Sequence, residues 1–220
     1  MRKQPRQARS RQMVDNILEA TARCIREDGF DGLNTNRVAE VAGVSIGSLY
    51  QYFHDRRELT EALLDRISGD MRQMLSQQQR LVDIGTLDIR TLARQGITVM
   101  LTFLRSDPVY LELTRNWHRL PMHRLLDPLE QHMLEAARLY FLRHSGSYPM
   151  ENLQTRVYVL INSATFTMVR FISQEDSTLL REEDVIDCLV DTIALSLVHG
   201  GRNGGGGSGR SPAEDFFAEA

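Results

Sequence analysis

The sequence predicts an all-α protein, a small three-helix domain followed by a larger helical one. Three observations carry that prediction. Residues 34–53 read as two short helices around a tight glycine turn, apolar residues recur at helical spacing in the long segments on either side, and Gly and Pro punctuation falls between those segments. At 220 residues and 42% hydrophobic, the chain is long enough for one large or two small domains with proper cores.

Residues 1–10 form a basic arm with Arg2, Lys3, Arg6 and Arg9, and Arg11 follows with no acid before it. The formal net charge is nevertheless −3, so any affinity for nucleic acid must be local. Such an arm can reach phosphates or an adjacent minor groove, or serve as a solvated tail. From Gln12 to Asp28, Val14, Ile17, Leu18, Thr21, Cys24 and Ile25 follow the helical period, and Gly29 closes this first helix before Phe30.

Asn34 is placed to cap the second helix, whose apolar face holds Val38, Ala39, Val41 and Ala42. Gly43 ends it, because a glycine takes the left-handed conformation that reverses the chain without a side-chain clash. Ser45 caps the third helix. There Leu49 and Phe53 fall four apart and point inward with Val44, which leaves Ile46, Gly47, Ser48, Tyr50, Gln51 and Tyr52 on outer and flanking faces. Ser48, Gln51 and the tyrosines can hydrogen-bond to phosphates or base edges, and Gly47 lets the backbone come close to DNA. Residues 11–55 are therefore assigned as a helix-turn-helix DNA-binding domain, against the plainer reading of a helical hairpin with idle tyrosines. Asp55 caps a fourth, long helix through Leu59, Leu63, Leu64, Ile67, Met71, Met74 and Leu75. Arg56 and Arg57 sit in its first turn, close to a DNA backbone and against the helix dipole.

Gly29-Phe30, the run from Val38 to Ser45, the run from Gly47 to Phe53 and Arg56-Arg57-Glu58-Leu59 together resemble the N-terminal domain of the TetR/AcrR family of bacterial transcriptional regulators. The agreement spans roughly Arg11 to Ile67. The resemblance implies a dimer on a palindromic DNA operator, with the fourth helix linking the reading head to a ligand-binding and dimerisation domain. It also implies that Thr35, Asn36 and Arg37 approach DNA from the second helix. Ser45, Ile46, Gly47, Ser48, Tyr50, Gln51 and Tyr52 would do so from the third, and Arg56 from the fourth. Ile46 departs from the basic or polar residue common there, which offers apolar contact to a thymine methyl.

Residues 56–199 are read as the effector-binding and dimerisation domain. Helices are expected over Leu92–Leu104, Val109–Leu120, Leu125–His144, Asn152–Ser173 and Glu182–His199, with Pro108, Pro121 and the segment 145–149 as breaks. The last helix carries two adjacent apolar stripes and so two packing partners. Its stripe Val185, Leu189, Ile193 and Leu197 is assigned to a homodimer interface, against a central helix of a monomer. Met100, Phe103, Trp117, His118, Met122 and Phe166 are bulky residues toward the middle of these helices. They are taken as walls of an apolar pocket for a small, largely hydrophobic effector. Residues of this kind are more often plain core than ligand contacts.

His118 and His123 are five apart and miss the helical spacing of a metal pair, so no metal and no cofactor are assigned. No phosphate-binding glycine loop, nucleophile elbow or His-Glu-x-x-His pattern occurs, which argues against an enzyme, a helical enzyme with a dispersed site being the remote alternative. A DNA-binding nucleoid or protein-interaction module without an effector is the nearer alternative; an enclosed cavity against a filled core separates the two. The lack of a long apolar run or a signal peptide points to a cytoplasmic, nucleoid-associated protein without a membrane partner. Cys24 and Cys188 lie in helical patterns and suggest no disulfide. Residues 200–220 read as a flexible glycine-rich tail ending in a short acidic segment with two phenylalanines, either disordered or a partner-binding peptide.

Overall fold

Asn34, Ser45 and Asp55 each start a helix with a side-chain oxygen on a free amide, and these three caps set the layout of the reading head. The computed structural model describes residues 8–79, 84–144, 146–149, 151–174 and 180–199. Most of the basic arm and the glycine-rich tail lie outside the described residues. Among those described, there are nine α-helices and no strand.

The helices are α1 (Ala8–Gly32), α2 (Thr35–Val41), α3 (Ile46–Tyr50), α4 (Arg56–Gln79), α5 (Ile89–Arg105), α6 (Pro108–Arg115), α7 (His123–Arg143), α8 (Leu153–Ser173) and α9 (Glu182–His199). The chain divides into two compact units: Met1–Gln73 with Phe103–Pro128, and Met74–Thr102 with Leu129–Ala220.

In the first unit α1 breaks at Gly29, whose φ of 71° and ψ of 172° end the regular helix and turn Phe30 into the core. Asn34 accepts from the Arg37 amide at 2.9 Å, and Ser45 accepts from the Ser48 amide at 3.1 Å. Gly43 takes φ 65° between them. Asp55 accepts from the Glu58 amide at 2.8 Å, while the Glu58 carboxylate reaches back to the His54 amide at 2.7 Å, a variant of the capping box. Ile17, Val38, Leu49, Phe53 and Leu59 are fully buried where these helices meet. Each contributes about 1.5–3 kcal/mol by leaving water.

The first unit also contains α6. Asp107 caps it, accepting from the Val109 amide at 2.9 Å, and binds Arg26 of α1 at 2.9 Å. Glu112 accepts from the Phe30 amide at 3.0 Å, and Arg119 pairs with Asp31 at 2.7 Å. α6 is shorter than the helix expected over 109–120. Asn116 leaves helical geometry (φ −95°, ψ 19°), its side chain folds back on the Glu112 carbonyl, and a 3-10 turn over Trp117–Arg119 follows.

In the second unit α5 begins three residues before the expected start, because Asp88 accepts from the amides of both Arg90 and Thr91 at 3.0 Å. α9 spans the residues expected of it. The core is built on Tyr140, Phe141, Leu153, Val157, Ile161 and Leu197. Arg156 of α8 caps the C-terminal end of α9, donating to the carbonyls of Ser196 at 2.5 Å and Leu197 at 2.7 Å.

Candidate nucleic-acid interface and the cavity of the second unit

The fixed side of α3 is apolar and buried through Leu49, with Phe53 just beyond, so the opposite side has to face solvent. Ser45, Ile46, Gly47, Tyr50 and Gln51 are exposed, with Ile46 at 37% and Tyr50 at 40% placing two large side chains together on the outer face. A Cβ on Gly47 would meet nothing nearer than the Ser45 hydroxyl at 3.9 Å. No internal packing therefore calls for glycine there. Ser45 and Ser48 share a hydroxyl contact of 2.8 Å, and the Tyr50 hydroxyl lies 3.2 Å from that of Thr35. These bonds fix the side chains at the α2–α3 edge in place ahead of any contact. Tyr52 is half-buried and accepts from Ser10 at 3.2 Å, and Asn36 is exposed.

Two of the cations expected at this face are committed within the protein. Arg37 is surrounded by Glu40 at 3.2 Å, Asp28 at 3.3 Å and Glu27 at 3.6 Å, and hydrogen bonds to Glu40 and Asp28 raise its pKa further. Arg56 stacks on the Phe30 ring with its guanidinium carbon 4.4 Å from the centroid. Its Nη2 donates to the Phe30 carbonyl at 2.5 Å. The neighbouring Arg57 is 84% exposed and pairs with Glu61.

The residues expected to line a pocket are scattered. Phe103 is buried and stacks on Tyr110 at 4.9 Å, Met100 and Met122 are buried, Trp117 is half-buried, His118 is exposed, and Phe166 is 45% exposed on the outside of α8. None lines the cavity that the second unit does contain. That cavity, about 190 Å³, lies among α5, α7, α8 and α9, against residues such as Ile97, Met133, Phe141 and Leu160. Small side chains open it, Gly96 on α5, Ala136 and Ala137 on α7 and Ala164 on α8. A bulky-residue criterion cannot detect a space made by small residues.

α9 presents its stripes differently from the sequence assignment. Ile193 and Leu197 turn inward onto the cavity, Val185 and Leu189 are half-buried, and the large apolar residues it leaves exposed are Leu195 and Val198. α8 exposes Tyr158, Val159 and Phe166. Among the described residues, no group of three or more His, Cys, Asp or Glu is arranged to hold a metal, and no helix is long and apolar enough to cross a membrane.

A three-helix head with a capped, outward-facing α3 defines a helix-turn-helix of the DNA-binding class, and the second, helical unit has its own core and cavity. Residues 17–63 match the sequence profile of the bacterial regulatory proteins, tetR family. The reading head is thus that of the tetR family of bacterial regulatory proteins. The chain is 28% identical over 82 residues to the nucleoid occlusion factor SlmA of Actinobacillus pleuropneumoniae, covering 37% of this chain and 39% of that one. It is 32% identical over 98 residues to the HTH-type transcriptional repressor AcnR of Corynebacterium glutamicum, covering 43% of this chain and 52% of that one. The chain thus spans about half or less of the length of these curated relatives. A TetR-family transcriptional regulator from Streptomyces coelicolor superposes with a TM-score of 0.57 at 22% identity, covering 82% of this chain and 95% of that one, which shows a shared fold.

Proposed function

We propose that this regulator is a homodimeric repressor that binds a palindromic operator and is released by a small, largely hydrophobic effector. The observation that carries the reading is the outer face of α3, where Ile46, Gly47, Tyr50 and Gln51 stand exposed on a side chain lattice already fixed by Ser45, Ser48 and Thr35. Two such helices related by a two-fold axis would enter successive major grooves about 34–36 Å apart. Thr35, Asn36 and Tyr52 would flank the groove on phosphates. Arg37 and Arg56 act chiefly by ordering the head, with their remaining N–H groups free to reach the backbone.

The dimer interface is proposed on α8 and α9, through Tyr158, Val159, Phe166, Leu195 and Val198, an apolar surface that a monomer would leave in water. The cavity of the second unit supports a small-molecule effector over a module that only binds other macromolecules. An effector that binds the DNA-incompetent arrangement more tightly lowers operator affinity by that difference, and α4, unbroken from Arg56 to Gln79, is the proposed link. Repression is the activity named for the AcnR relative.

Selection of bound sequences from a random duplex pool tests this reading. Enrichment of a palindrome with half-sites about one helical turn apart is expected, with affinity falling steeply with salt. A pool that emerges without enrichment, or enriches a single asymmetric half-site, rejects it.

A further inference from the structure

The cavity wall has a chemical character that narrows its occupant. Its lining is aliphatic and aromatic except for two polar side chains, Gln95 of α5 and His132 of α7. Among the described residues, no Lys, Arg, Asp or Glu lines it. Of the cations next in sequence to lining residues, Arg90 pairs with Asp191, Arg94 with Glu183 and Asp187, and Arg156 donates to the Ser196 and Leu197 carbonyls. A charged group drawn in away from the exposed Gln95 would therefore lose its hydration against a wall of uncharged side chains, a large cost in an apolar site. Burial pushes the His132 imidazole below its ordinary range, with Glu135 opposing the shift, so His132 is neutral at neutral pH and offers one donor and one acceptor. Size gives a second limit. An apolar hole of roughly 150 Å³ holds benzene, and about 190 Å³ holds a ring with one or two substituents or a folded short chain.

We propose that this cavity takes an uncharged, compact, mostly apolar molecule of about eight to ten heavy atoms with a single hydroxyl, a phenol or medium-chain alcohol, the hydroxyl meeting His132 and Gln95. The proposal deepens the effector reading above and rests on it. It places the selectivity of the regulator in two side chains, with the small residues Gly96 and Ala136 setting the size limit.

The test uses the purified full chain and isothermal titration calorimetry with p-cresol, 1-octanol, octanoate, octylamine and 1-dodecanol at neutral pH. Binding of p-cresol and 1-octanol is expected, with octanoate and octylamine at least about tenfold weaker and 1-dodecanol no tighter than 1-octanol. His132→Leu should weaken the alcohols roughly two- to tenfold and leave toluene binding unchanged. Gly96→Leu should abolish binding of all probes, and Ala136→Leu serves the same purpose if that variant does not fold. Equal or tighter binding of either charged probe, a preference for the longer alcohol, or retention of binding in both filled variants overturns the proposal. Operator release separates the two levels. Probes that bind without releasing selected DNA refute the effector reading while the ligand class stands; release by an unrelated charged compound does the reverse.

Discussion

Arg56 lies with its guanidinium 4.4 Å from the centre of the Phe30 ring and donates to the Phe30 carbonyl oxygen at 2.5 Å. A second cation, Arg119, lies over the same ring at 4.9 Å and pairs with Asp31. The turn made possible by Gly29 is thus clasped between α4 and the 3-10 turn after α6. Arg56→Ala should cost about 1–3 kcal/mol of stability through lost stacking and a lost charge-assisted hydrogen bond. Arg57→Ala, which removes only an exposed i, i+4 pair, should leave it essentially unchanged. Urea denaturation of both variants checks this, and equal stability would show that the clasp does not hold the turn.

Gly47 separates a folding requirement from a binding requirement. Its position is helical and open, so Gly47→Ala should stabilise the head by about 0.5–1 kcal/mol through helix propensity. The added methyl would stand on the face proposed to approach DNA, and affinity for selected operator should fall. Fluorescence anisotropy and thermal melts on the same preparation read both effects. A variant that is more stable and binds equally well would remove Gly47 from the contact set.

The parts of this fold that were legible in the sequence are those decided by neighbours in the chain. Asn34, Ser45 and Asp55 cap helices, and Gly29 and Gly43 end them, because each interaction closes within a few residues. The remaining features depend on partners far along the chain. Arg56 read as a cation beside the motif, and nothing local revealed that Phe30, 26 residues earlier, would hold it. Periodicity found two stripes on α9 but could not say how much of each faced inward, since that depends on how α5, α7 and α8 surround it, and buried residues come from both, Ile186, Val190 and Ala194 from one and Leu197 from the other. Ile193 and Leu197 went to the cavity for that reason. The cavity itself is made by Gly96, Ala136 and Ala164, residues that carry no signal in a search for bulky side chains.

Arg156 couples α8 to the last turn of α9 through the carbonyls of Ser196 and Leu197, two of the last four of that helix. Arg156→Met keeps most of the stem and removes the donors. A loss of about 1–3 kcal/mol is expected, with amide exchange accelerated first over the last turn of α9. Exchange that rises uniformly across the second unit would mean that the arginine acts through packing alone.

Phe166 and Tyr158 leave apolar surface on α8 exposed in a single chain. If the proposed dimer packs through this surface, Phe166→Asp should leave a monomer in sedimentation velocity and weaken operator binding at least about a hundredfold, since each half-site would then bind alone. Its thermal stability should depend less on concentration than that of the parent. A Phe166→Asp protein that sediments as a dimer would move the interface elsewhere.

His132 gives the second unit a pH dependence of predictable sign. Its folded pKa is depressed by burial, with Glu135 working the other way, so the unfolded chain takes up the proton at a higher pH than the folded one. Between those two values the unfolded state binds more protons, and stability falls as pH drops below about 6.5, levelling off once the folded imidazole is itself protonated. Above that range the effect is absent. Chemical denaturation from pH 7.5 to 5 should show this loss in the parent and a smaller one in His132→Gln, which keeps a hydrogen-bonding side chain in the cavity wall and cannot titrate. Parallel pH profiles for the two proteins would assign the loss to other groups.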